Sequence, residues 1–482
     1  MKILNLRHKD VMPDIAIRKF DLNIEKILEG WETRHAIREI IANAFDEQAL
    51  TDTAEVKITK DSKGVWHVRD FGRGLRYEHL TQNENKEKLR NPAKVIGKFG
   101  VGLKDALATL HRRGVVVAVS SKHGDITLEA TAKHGFSDIT TLHAVISPST
   151  DAKLIGTDFS LQKIEDVDIA EAKRFFLKFS GETVLDNTSY GQILRRNTNG
   201  KARIYVKGLL IAEEEEFAFS YNITSLTAAM NRALNRERTN VGRTAYADRV
   251  KAMLLDSDSR DVASTLADDL KRMEQGTSRD EVKWIDVAIH ACQILNASEK
   301  VVFVTAEQRT SASSAVDHAL NDGYKVVTVP ESIKERLRGI KDIHGNPVRN
   351  LDVYKQEFAE SFEFKFVPPG KLSAAERDIL DMREKIANLV GGLPREVKEI
   401  LVSETMRPDF GSHYDAAGLW EPGNRRIIIK RSELRSLEAF AGTLLHEITH
   451  ARTGYDDLTL DFEHGLTEAL GKTSTHAVKV LK

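Results

Sequence analysis

The 482-residue chain has a single cysteine, Cys292. An internal disulfide and any cysteine-rich zinc module are therefore excluded. Cys292 sits in an apolar helical run over residues 284–295, where a buried structural thiol is expected. No stretch of ~18 apolar residues occurs, and the N-terminal residues carry Lys and Arg without an apolar segment behind them. Neither a membrane span nor a secretory leader is expected, and a reducing cytoplasm is the simplest location. Charge of one sign is also missing. Lys and Arg total 71 against 72 Asp and Glu, a formal net charge of −1, so overall charge does not demand nucleic acid as a partner. Repeats and low-complexity segments are absent. Hydrophobic residues at 41% and charged residues at 30% fit an ordinary globular chain of two to four domains.

Against this plain background one early stretch is unusual. Read as a helix, residues 38–47 place Glu39, Asn43 and Asp46 within one narrow stripe. Ile37, Ile40, Ile41, Ala44 and Phe45 fall on the opposite side and can seat the helix on a core. An asparagine in mid-helix between two acids is a poor choice for solubility alone. It suits a hydrated Mg²⁺, which takes hard oxygen ligands. A solvated helix face is the bland alternative.

Three glycine-bearing stretches follow in order. Residues 65–75 run from an alternating strand into Asp70 and a turn with Gly72 and Gly74. Residues 95–107 form a loop with Gly97, Lys98, Gly100 and Gly102 that leads into a helix. Such a loop lets backbone N–H groups approach phosphates, and the helix N-terminus favours negative charge. In residues 154–161, Gly156 and Thr157 open a strand. One glycine pair alone reads as a turn or a helix cap.

The order of these stretches resembles the GHKL ATPases, the family of gyrase, the large heat-shock chaperone, the histidine kinases and MutL. The resemblance covers residues 10–240. It implies that Glu39 is the base that activates water and Asn43 the Mg²⁺ ligand, with Asp46 beside them. Asp70 would accept the adenine amino group, supported by Thr157. Gly72 and Gly74 would let adenine lie against the backbone. Gly97, Lys98, Gly100 and Gly102 would belong to the lid that closes on the phosphates. Glu39 argues against a histidine kinase, which usually has Asn or His there. ATP and Mg²⁺ are the cofactors implied, and dimerisation on nucleotide binding is a family habit.

Strand patterns at 114–120 and 125–131 suit a mixed sheet with helices on one face, an α/β sandwich. A long helix is expected near 168–180. Two short strands around Lys207 and Gly208 would close the first domain. Residues 234–243 then carry Arg236, Arg238 and Arg243 near a glycine break. They read either as a charged helix end or, for Arg236 or Arg238, as a γ-phosphate contact. Residues 245–300 look helical. Strand patterns at 300–305 and 323–330, with a helix at 311–321 between them, favour a parallel pair. No phosphate loop lies there.

The C-terminal region is the second informative one. A helix is expected at 378–390, and strands at 397–403 and within 418–430. The helix after them carries His446, Glu447 and His450. The two imidazoles stand one turn apart on one face, with a carboxylate beside them, and Leu444, Leu445 and Ile448 turn away. That arrangement grips Zn²⁺ and sets a base beside its bound water. Gly454 ends the helix. No third histidine stands where the metzincins have theirs. In residues 460–471, Glu463 shares an apolar stripe and is the expected third ligand, with Glu468 in reserve. The region from 355 to 475 resembles the gluzincin metallopeptidases.

The expected architecture is α/β (α+β). A GHKL-type α/β sandwich over 1–230 precedes a helical and α/β connecting region over 231–345. A small zincin-like α+β domain over 346–482 follows. The expected function is an ATP-regulated zinc metallopeptidase acting on polypeptide, with ATP, Mg²⁺ and Zn²⁺ as cofactors. A chaperone-like or DNA-linked ATPase whose zinc domain is structural or inactive is the alternative. In that case the zinc site would not need Glu447.

Overall fold

The computed structural model describes residues 17–22, 30–81, 86–91, 94–96, 101–198, 200–234, 241–408 and 416–480. The chain is mixed α and β, as expected. It forms two compact units, Met1–Ile294 and Leu295–Lys482, where the sequence suggested three segments.

The first unit opens with strand β1 (Arg18–Asp21) and helix α1 (Thr33–Thr51). Then come β2 (Lys57–Lys60), β3 (Trp66–Arg69), α2 (Lys86–Arg90), α3 (Val101–Arg112), β4 (Val116–Ser121), β5 (Gly124–Lys133), β6 (Phe136–Ser147), β7 (Thr157–Gln162) and α4 (Asp166–Lys173). The strands make one seven-stranded sheet in the order β1-β6-β5-β4-β7-β3-β2. Every neighbouring pair is antiparallel, so the sheet is not mixed. One face is apolar: Val68, Val117, Val119, Ile126, Ala144, Phe159 and Leu161 alternate along their strands. Ile37, Ile40 and Ile41 of α1 and Leu103, Leu107 and Leu110 of α3 join that core. The apolar side expected for α1 is therefore its core side. Helix α4 is shorter than its pattern. It stops at Lys173, and a 3₁₀ turn at Leu177–Phe179 carries the chain onward.

A second sheet in this unit contains β8 (Val184–Thr188), β9 (Gly191–Arg195), β10 (Ala202–Val206), β11 (Leu209–Glu214) and β12 (Phe219–Ile223). Its order is β11-β10-β12-β9-β8, with only β10 and β12 parallel. The strands expected around Lys207 and Gly208 thus belong to a separate sheet. Both turn residues adopt positive φ, 50° and 79°. Helices α5 (Ala228–Ala233), α6 (Ala247–Leu255), α7 (Arg260–Leu270), α8 (Asp280–Lys283) and α9 (Ile285–Ser298) follow. The unit boundary falls within α9. Cys292 is buried there, which pushes its thiol up to about 12.

The second unit begins with β13 (Val301–Val304), α10 (Ala306–Ser311), α11 (Ser313–Asn321) and β14 (Lys325–Thr328). β13 and β14 are parallel, as the strand–helix–strand pattern implied. After α12 (Glu331–Leu337) and α13 (Leu351–Ser361), two helices stand where one was expected: α14 (Ala374–Leu380) and α15 (Arg383–Leu389). Then come β15 (Glu399–Ser403), β16 (Gly418–Glu421) and β17 (Arg426–Lys430), in the order β15-β17-β16. The sheet supports α16 (Leu437–Thr453). Helix α17 (Leu460–Val480) lies beside α16. Phe440, Leu444 and Ile448 of α16 are buried with Ile427 and Ile429 of β17. Ser436 caps the start of α16 by accepting from Ala439 N–H, and Gly454 ends it at φ 72°.

Candidate functional site

In the first unit, Asn43, Asp70, Gly74 and Thr157 line one cavity of about 530 Å³. The local backbone explains how. Gly156, at φ 81°, passes so close to the Asp70 carbonyl that a Cβ there would collide with it. That approach lets Asp70 N–H donate to Thr157 O at 3.0 Å. The Asp70 carboxylate accepts from Gly72 N–H at 2.9 Å and from Thr157 N–H at 3.3 Å. Burial raises its pKa, and these hydrogen bonds oppose the shift. Thr157 Oγ1 accepts from Leu75 N–H at 2.9 Å. The strand-end acid and the Gly-Thr pair thus form one small braced unit.

Sequence reading missed other charged residues that line the cavity: Arg73, Arg76, Lys88, Lys122, Glu47 and Glu87. Arg73 bonds both Glu47 and Glu87 at 2.9 Å. A Cβ at Gly72 would displace the Glu47 side chain and so disturb its pairing with Arg73. Arg73 stands inside the Asp-Phe-Gly-Arg-Gly stretch and was open to notice there. Lys88 gave no local signal.

Two residues of the α1 stripe do not line the cavity. Glu39 is buried, and its Oε1 accepts from Arg38 Nε at 3.2 Å and Nη2 at 2.9 Å. Its Oε2 lies 2.6 Å from where a Gly102 Cβ would stand, so a side chain there would displace the carboxylate. Asp46 is 1% exposed and is committed to Lys88 Nζ at 2.6 Å and Ile96 N–H at 2.5 Å. Asn43 donates to Glu39 O at 2.8 Å and accepts from Lys88 Nζ at 3.0 Å. The oxygen expected on Mg²⁺ therefore holds an ammonium, and a divalent ion does not fit beside it. Gly97, Lys98, Gly100, Arg236 and Arg238 lie outside the described residues.

The second unit brings His446 and His450 together as their spacing implied. Their Nε2 atoms are 3.1 Å apart. The third member is Asp457, whose Oδ1 lies 3.1 Å from His446 Nε2 and 3.3 Å from His450 Nε2. Glu463 is exposed on α17 and is not part of this group. The inward stripe runs one position earlier, through Phe462, Gly465 and Ala469. Gly465 lies against Thr449 and Thr453 of α16. Glu468 pairs with Lys472 at 2.6 Å, toward solvent. Asp457 comes from the short loop after Gly454, which helix-stripe reasoning does not reach. An acidic pair just past the helix cap was the available signal.

His450 Nδ1 lies 2.8 Å from Tyr455 O. A carbonyl only accepts, so in the neutral ring the proton sits on Nδ1 and Nε2 is bare. Burial lowers the pKa of His446, which favours its neutral form. Two imidazole nitrogens and a carboxylate oxygen thus converge on one point. A tetrahedral zinc ion with bonds of ~2.0–2.1 Å separates its ligands by ~3.3–3.4 Å, so the triangle fits it. Glu447 is 6% exposed, and its Oε1 lies 2.7 Å from where a Gly418 Cβ would stand. Burial, helped by the Asp457 charge, pushes its pKa up to about 8, against a hydrogen bond from Trp420 N–H.

The molecule is thus an α+β protein of two units, each with its own cluster of polar groups. The family model of the Mycoplasma pneumoniae MPN635 N-terminal domain matches residues 167–260, which span the second sheet rather than either cluster. One Mycoplasma pneumoniae relative is 38% identical over 246 residues, covering 50% of this chain and 98% of its own. A second is 24% identical over 348 residues, covering 67% and 96%, and a third is 24% identical over 184 residues, covering 36% and 93%. Each is described only as an uncharacterized protein. On the first of these matches, the chain belongs to the family of that Mycoplasma pneumoniae protein.

Proposed function

We propose that the protein is a nucleotide-regulated, zinc-dependent peptidase. The observation that carries this is the convergence of His446 Nε2, His450 Nε2 and Asp457 Oδ1 within 3.1–3.3 Å. Three acceptor-rich atoms at that spacing repel one another unless a proton or a cation lies between them. Those three residues hold the ion. A zinc ion bound there supplies a Lewis acid and acidifies a bound water. Glu447, beside the triangle, takes the proton of the attacking water and passes it to the departing amine. Among the described residues three side chains converge there, and the carboxylate of Glu447 stands beside them, an arrangement that favours a catalytic over a structural centre. Glu447→Gln should keep zinc and lose cleavage of an unfolded protein substrate. Cleavage at the normal rate by that variant would remove Glu447 from this role.

In the first unit, the cavity takes ATP, with the adenine amino group at Asp70 and the phosphates toward its cationic wall. Glu39, behind the cavity lining, is the candidate base for hydrolysis, with one oxygen anchored by Arg38 and the other beside Gly102. Nucleotide binding is proposed to change the peptidase rate or the association of two copies. A coupling of ~1–3 kcal/mol would alter the rate about 5- to 150-fold. Identical peptidase rates and association states without nucleotide, with ADP and with a non-hydrolysable ATP analogue would show two independent activities.

A further inference from the structure

Lys88 occupies an unusual position for a lysine. Its side chain is 11% exposed, and its ammonium sits 2.6 Å from Asp46 Oδ2 and 3.0 Å from Asn43 Oδ1. Both acceptors are fixed. Asp46 is buried and held from its other oxygen by Ile96 N–H. Asn43 is oriented by its own hydrogen bond to Glu39 O. These oxygens come from successive turns of α1, and the cation comes from α2, more than forty positions along the chain.

We infer that Lys88 is the resident cation of this cavity, so that a nucleotide binds there without a divalent ion at Asn43. Mg²⁺ demands oxygen ligands at ~2.0–2.1 Å and keeps several waters. At that distance from Asn43 Oδ1 it would meet the ammonium, a like charge. Moving Lys88 away would break an ion pair of 2.6 Å with a carboxylate that is 1% exposed, which is costly. Lys88 also lines the cavity, as Arg73 does. It therefore adds positive charge where phosphates would lie, as a point charge that needs no fixed geometry. The inference rests on the nucleotide reading of the cavity, but its first test does not.

Mg²⁺ alone, titrated calorimetrically into the full chain, should produce no binding heat. In Lys88→Met a Mg²⁺ site should appear, and adding Asn43→Ala should remove it again. Lys88→Arg, which keeps the charge, should stay silent. A Mg²⁺ site in the wild-type chain that Asn43→Ala abolishes would overturn the inference, whether or not Lys88→Met folds. In a second measurement, a fluorescent ATP analogue should bind the wild-type chain equally, within about twofold, in EDTA and in Mg²⁺. A loss of about tenfold or more in EDTA would overturn it as well. Absence of analogue binding in both conditions would defeat the nucleotide reading instead, and the Mg²⁺ titration would still decide the role of Lys88.

Discussion

The imidazole of His450 lies flat on the ring of Phe462, with centroids 4.1 Å apart and planes 18° apart. The same ring meets His446 edge-on at 5.0 Å. Phe462 is 2% exposed, so α17 fixes both histidines from one side while Tyr455 O fixes His450 from another. Phe462→Ala should therefore act twice. It should lower stability by ~3–5 kcal/mol, as large core truncations do, and weaken metal binding. Denaturant unfolding and metal titration on one sample read both effects. A variant that lost stability but bound zinc normally would show that Phe462 does not orient the histidines.

Asp457 and Glu463 make opposite predictions. Asp457→Ala should reduce zinc affinity strongly. Glu463→Ala should leave it unchanged, because that carboxylate points to solvent on α17. Competition with a chromophoric chelator ranks the two. The reverse ranking would restore the assignment that the helix stripe suggested.

At the cavity of the first unit, the proposed nucleotide role predicts that Asp70→Asn weakens binding of adenine nucleotides more than that of guanine nucleotides. Gly156→Ala should do more damage, because its Cβ has no room beside the Asp70 carbonyl and its φ of 81° disfavours a side chain. Circular dichroism and nucleotide titration together separate lost binding from lost folding. Gly156→Ala with unaltered stability would contradict the tight approach of β7 to Asp70.

A pH effect is expected away from both sites. Glu281 of α8 is fully buried, accepting from Ala218 N–H at 2.8 Å and from Tyr221 O–H at 2.9 Å. Burial raises its pKa from 4.5 to about 7. Between those values the folded protein holds a proton that the unfolded chain has released. This group's contribution is thus greatest below the unfolded pKa and declines as pH rises toward the folded one, by ~3 kcal/mol in all. Glu281→Gln should flatten that part of the stability–pH curve. An unchanged slope in the variant would reject the assignment.

Local pattern made some of this legible. The apolar side of α1, the parallel pair β13 and β14, and the His-Glu-His face of α16 follow from periodicities that a few residues carry. Gly454 was readable as a cap because positive φ selects glycine. The remainder depended on partners far apart in sequence. Strand patterns alone cannot say whether neighbours run parallel, so the antiparallel seven-stranded sheet was read as mixed. On α17 a shift of one residue turned Glu463 outward and Phe462 inward. Asp457 lies in a loop next to Leu458, whose φ of 63° is rare for leucine. Lys88 reaches Asn43 only through the fold. Of the α1 stripe, Asn43 and Asp46 face the Lys88 ammonium and Glu39 the Arg38 guanidinium.

The proposed function requires that His446, His450 and Asp457 hold a catalytic metal. Its most direct test is elemental analysis of protein purified without chelator. The wild-type chain should carry one zinc per molecule, and the His446→Ala, His450→Ala double variant none. Zinc absent from a folded wild-type chain, even after incubation with the ion, or retained at full stoichiometry by the double variant, would contradict it.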